Sequence, residues 1–147
     1  MRTVWNEDDR RGLLARMEQV SPPRAPRWGT MNAEQMVKHV TAQLELCLGE
    51  LDVKPRSSWL GRWPMPYLLI YWLPWPKGAP TAPELIRFSN AHWDEARAKF
   101  KQTLDRVVAR GPEGEFAPHP LFGKLSSRTW GVLVYRHMDH HLRQFGL

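Results

Sequence analysis

The stretch RHMDHHLRQFGL, residues 136–147, places three histidines within five positions. His137 and His141 are four apart. On a helix, at ~100° per residue, that spacing puts both on one face, one turn apart, where two imidazoles can converge on a single metal ion. His140 flanks the same face, Gln144 prolongs it, and Asp139 points to the other side. A second reading competes. A helix C-terminus gathers cations against its dipole, so His140, His141 and Arg143 also suit a last turn that holds no metal. A third ligand from elsewhere in the chain would change the balance. His39, between Val37 and Val40, is the only other histidine inside an apolar helical pattern. A lone inward histidine is more often a hydrogen-bonded core residue than a ligand, yet a fold that sets its helix beside the last one can bring it to the pair. His92 reads as a surface position, and His119, in APHPLFGKLSS, as a turn or loop anchor. Cys47, two turns beyond His39, reads as core. The paired Glu-x-x-His motifs of a ferritin-like di-metal site are absent.

Four helical stretches must position these residues. The first is expected from Asn6 to Gln19, with Asn6 as N-cap and Glu7, Asp8 and Asp9 in the first turn; Pro22 and Pro23 end it. The second starts at Asn32, which has capping-box spacing to Gln35, and carries Met36, Val37, Val40, Leu44 and Cys47 to a stop at Gly49. The third is expected from near Pro83 to Gly111, through Leu85, Phe88, Ala91, Trp93, Ala96, Phe100, Leu104 and Val107. The fourth starts at Ser126 or Ser127 and runs through Trp130, Leu133, Val134, His137, His141 and Phe145 to Gly146. No stretch alternates with a period of two, so almost no sheet is expected. Together these features predict an all-α, four-helix bundle. The connection between the second and third helices far exceeds an ordinary bundle loop. It therefore predicts one long Trp/Pro-rich crossover and up-down-down-up order, with a short helix near Tyr67–Leu73.

Composition narrows the class of protein. The 147 residues suit one domain, 1–147, large enough to fold without a disulfide or metal staple. The single cysteine excludes an internal disulfide. The N-terminal stretch lacks the apolar core of a signal peptide, and the longest apolar run, PMPYLLIYWLPWP, is broken by prolines and too short to span a bilayer. A soluble, cytoplasmic protein is expected. The net charge of +6 permits anionic partners. However, the basic residues are scattered and no zinc-finger, RNA-binding or basic-zipper pattern appears, which argues against a nucleic-acid partner.

HxxHHxxQ in His137–Gln144, with the single upstream histidine of MVKHV, resembles the DinB-like (DinB/YfiT) superfamily. The blocks RWGTMNAEQMVKHV, PWPKGAPTAPEL, HPLFGKLSSRTWG and HMDHHLRQFG resemble one uncharacterised branch of it, so the likeness spans Trp28 to Gly146. It implies a four-helix bundle, commonly a homodimer, that binds a divalent metal through three histidines. On this chain those are His39, His137 and His141. The activities it implies use a low-molecular-weight thiol as co-substrate, in S-transfer or isomerisation on a small molecule; hydrolysis is the other reaction considered.

Three neutral imidazoles would leave a divalent ion its full charge and an open position, the form of a catalytic rather than a structural site. Nitrogen-only ligation suits zinc, nickel, iron(II) or copper, with zinc or nickel expected first and iron next. Such an ion can lower the pKa of a water toward ~7 or hold a thiol as thiolate. His140 and Gln144 are candidates for hydrogen bonding behind the ligands, as is Gln43, one turn beyond His39. No carboxylate occupies an evident site-facing position, so no catalytic base is named. The Trp-rich segment 59–76 is expected to cover the core and to form part of a dimer interface. A lid over a hydrophobic pocket and shallow membrane contact are the other readings.

Overall fold

The structure, a computed structural model, describes residues 1–55, 58–77 and 92–147. It is all-helical, with no strand among the described residues. In chain order come α1 (Glu7–Met17), α2 (Ala33–Leu48), the short α3 (Met65–Tyr67), α4 (Trp93–Arg110) and α5 (Ser127–Gln144). α3 runs directly into a π-helical turn, Leu68–Trp72, so the short helix expected in the crossover is present and begins two residues early. The expected start of the third helix near Pro83 lies outside the described residues.

Local chemistry sets the helix ends. The Asn6 side chain accepts from the Asp9 N–H, and three acidic residues fill the first turn of α1. α1 stops at Met17, two residues short of the expected Gln19, as the chain turns toward Ser21-Pro22-Pro23. Asn32 and Gln35 form the full capping box on α2, and Gly49, at φ +80°, closes it. Ser126 caps α5 through the Thr129 N–H.

Burial ranks the helices. Twelve of the sixteen residues of α2 are buried, which makes it a central element rather than a one-faced surface helix. It packs against both α4 and α5. α4 buries a single stripe, Ala96, Phe100, Thr103, Leu104 and Val107. Each large apolar side chain there contributes about 1.5–3 kcal/mol. α1 and the π turn pack on α5. Cys47 is fully buried, and burial pushes its thiol up to about 12.

Two segments tie the ends of α5 down. Val4 N–H donates to the Gly131 carbonyl and the Trp5 indole to Ser127, with the Trp5 ring lying where a side chain on Gly131 would stand. At the other end the 21–31 connection turns back over the helix terminus. The Arg27 N–H donates to the Gln144 carbonyl (2.6 Å), and Arg24 Nε donates to that of Phe145 (2.7 Å). The carbonyls that a helix end leaves unpaired are thus met by backbone and cation together.

His119 is the loop anchor its sequence context suggests. Its backbone exchanges two hydrogen bonds with Gly123, both 2.8 Å. Its Nδ1 accepts from the N–H groups of Leu121 (3.1 Å) and Phe122 (3.2 Å), and the ring stacks on Phe122. An acceptor in that role must be unprotonated, and burial holds this imidazole down at about 4. The unfolded ring titrates near ~6.5. The stability it contributes is therefore present above pH ~6.5 and lost as pH falls toward 4. Asn in its place keeps an acceptor that does not titrate. Chemical denaturation of wild type and His119→Asn across pH 4–8 should give a constant difference above pH ~6.5. Below it, wild type should lose on the order of 2 kcal/mol more than the variant.

Candidate metal centre

α2 and α5 run side by side, and their contact brings together His39, His137 and His141. One nitrogen from each lies within 4.8 Å of the others. The ring centroids are 4.6–4.7 Å apart, every pair edge to face. All three side chains are buried, at 3, 8 and 6 % exposed in sequence order. Three buried histidines so close together can hold a metal ion. His140 and Gln43 stand outside this convergence.

Hydrogen bonds assign the nitrogens. His141 Nδ1 lies 2.8 Å from Gln144 Oε1, an amide oxygen that can only accept, so Nδ1 carries the proton and Nε2 keeps its lone pair. The Gln144 amide is itself oriented, because its Nε2 donates to the Trp28 carbonyl at 2.7 Å. His39 Nε2 and His137 Nε2 are 2.9 Å apart and point at each other. His137 Nδ1 has no hydrogen-bond partner. Burial, then the nearby rings of His141 and His39, holds the His137 imidazole well below its ordinary range. Burial and His39 push His141 down to about 3 against the opposing bond from Gln144. Both rings are neutral at pH 7, the form in which imidazole binds metal.

Aromatic side chains form the rim. The Trp75 ring lies 6.0 Å from His137 and 5.9 Å from His140. Trp28 approaches His140 edge-on at 6.1 Å, and Lys77 Nζ sits 4.8 Å over the Trp28 ring. His140 is thus wedged between two indoles, with burial lowering its pKa. Gln43 is buried with Oε1 unpartnered, and among the described residues no hydrogen bond joins it to the three rings. Trp28, Gly29 and Trp75 were not singled out by sequence reasoning. For Trp28 and Gly29 the signal is that a buried Gln144 amide needs an acceptor, which the sequence cannot locate; Trp75 was marked only as part of the Trp-rich segment 59–76.

Residues 74–146 match the family model described as Protein of unknown function (DUF1569). No curated protein and no solved structure matches the chain. The matched stretch contains α4, α5, Trp75, His137, His140, His141 and Gln144. It leaves out α2 and His39, so the third histidine is placed by the structure alone.

Gly29 explains how Trp28 reaches Gln144. It sits at φ +79°, and a Cβ there would lie 2.4 Å from Gln144 Nε2. Both the backbone conformation and the space require glycine. Gly12, in α1, has open space around it. Thermal or denaturant unfolding should show Gly29→Ala losing about 2 kcal/mol. Gly12→Ala should instead gain about 0.5–1 kcal/mol from helix propensity.

Proposed function

We propose that His39, His137 and His141 hold a divalent metal ion, and that the protein is a metal-dependent enzyme of the DinB-like superfamily. The fold in this reading is a four-helix bundle of α1, α2, α4 and α5 in up-down-down-up order, with the Trp-rich segment in its crossover. The reaction class is thiol-dependent S-transfer or hydrolysis on a small molecule. The resemblance adds a homodimer.

The observation that carries the reading is the convergence of three buried imidazoles from two helices. The donor set fits an ion in three respects. His137 and His141 are neutral without any adjustment. His141 Nδ1 has the outward hydrogen bond that orients a ligating ring, and Gln144 is its partner. His39 and His137 direct ring nitrogens at each other at 2.9 Å, so both already turn toward the space where an ion would be held. When bound, such an ion supplies an electrophilic centre that can activate a water or a thiol. Gln144 fixes the His141 ring, and Trp75 and Trp28 exclude water from the rim. No carboxylate joins the cluster among the described residues.

The depth of the site favours a second reading, a non-catalytic bundle that metal stabilises in a binding or stress-response role. Metal analysis separates the possibilities. Wild type should carry about one equivalent of zinc, nickel or iron, and His141→Ala should carry little. Gln144→Ala should bind the same metal some 10–100-fold more weakly. Full metal content in His141→Ala would overturn the site. Chelation that lowers the melting temperature, combined with no turnover in a screen of thiols, electrophiles and esters, would favour the second reading.

A further inference from the structure

The segment expected to cover the core does so with only part of its surface. Pro66 and Ile70 are buried, and Tyr71 donates to or accepts from Thr129 on α5 at 3.0 Å. The other faces stand in solvent. Trp63 is 83 %, Trp72 76 % and Trp59 65 % exposed, with Tyr67, Leu68 and Leu73 beside them in sequence and also exposed. Soluble proteins seldom present so many large apolar groups from one short segment without a use for them.

The chemistry of this face points to one occupant. From Ser58 to Lys77 the sequence contains no Asp or Glu, while Arg62 and Lys77 are basic and Lys54 lies just before it. Lys54, Arg62 and Lys77 are exposed. An isologous contact with a second copy would set this positive face against itself. A homodimer of the kind the resemblance implies would therefore use another face. Stacking on single-stranded nucleic acid uses aromatic platforms, but here Leu68 and Leu73 accompany the indoles.

The backbone is also prepared for a weakly polar environment. Pro64, Pro66, Pro74 and Pro76 have no N–H to leave unpaired. Arg136 donates to the carbonyls of Leu69 (3.0 Å), Ile70 (2.7 Å) and Leu73 (2.6 Å), where the π turn ends. Unpaired backbone groups are what make ordinary loops costly near hydrocarbon. Indole and phenol rings favour the headgroup level, and basic side chains favour anionic lipid.

We propose that the Trp59–Leu73 face docks on the surface of an anionic lipid bilayer, with Trp63, Tyr67, Leu68 and Trp72 at headgroup depth and Arg62 on lipid phosphates or carboxylates. No described helix is long and apolar enough to cross the membrane, so the contact is peripheral. The proposal is independent of metal at the histidines.

Flotation of the full chain with vesicles tests it. Vesicles of phosphatidylcholine with 30 % phosphatidylserine should bind wild type at least tenfold better than phosphatidylcholine alone, and raising salt from 50 to 500 mM should cut that binding severalfold. Trp63→Ser/Trp72→Ser should lose at least tenfold in binding with an unchanged melting temperature, since both side chains are exposed. Arg62→Glu should lose severalfold. Equal binding to neutral and anionic vesicles, or a double variant that binds like wild type, would overturn the proposal. So would either of two other findings: binding of a single-stranded oligonucleotide but not vesicles, or a wild-type dimer that the double variant converts to monomer.

Discussion

Desolvation of imidazole is the constraint on which the α2–α5 contact turns. Three rings are held where water is excluded, so a proton added to His137 or His141 meets both a burial penalty and two neighbouring rings. His137 and His141 remain neutral, but neutrality does not pair every nitrogen. Gln144 takes the proton of His141. Between His39 and His137 only one Nε2 can donate. If that proton is on His137, its Nδ1 is a bare acceptor in a dry place; if not, Nδ1–H is an unanswered donor. Interiors rarely tolerate either without a compensating partner. An electrophile placed among the rings would take up the inward Nε2 lone pairs and fix the His137 proton on Nδ1.

The surrounding structure serves to hold that arrangement still. The 21–31 connection crosses the end of α5 and does two things at once: it pairs the terminal carbonyls of the helix and presents the Trp28 carbonyl to Gln144. The last turn of α5 is locked from outside. At the opposite end, Val4 and Trp5 lie across Gly131. The histidine-bearing helix is thereby clamped at both ends, and its central face is left to α2.

Helix existence was readable because it depends on neighbours in sequence: Asn32 with Gln35, Ser126 with Thr129, and apolar spacing along α2 and α5. Convergence of His39 with His137 depends on residues 98 apart; the apolar pattern around His39 allowed it, and the resemblance named it. Arg136 was unreadable for a related reason. Between Tyr135 and His137 it looks like a solvated face, yet its guanidinium closes the carbonyl end of a turn more than sixty residues earlier. The tryptophans of 59–76 were legible as unusual but not as outward. Pro66 and Ile70, four apart, take the inner face of a very short helical turn, which leaves Trp63 and Trp72 no core to enter.

The single cysteine has a consequence for any sulfur chemistry at the histidines. Cys47 is on the same helix as His39, but it is sealed in the core, and its thiol resists ionisation until about 12. The protein thus contributes no nucleophilic sulfur of its own, and any thiolate acting beside His39 has to be imported. No cysteine of the chain is placed to trap such a thiol as a mixed disulfide.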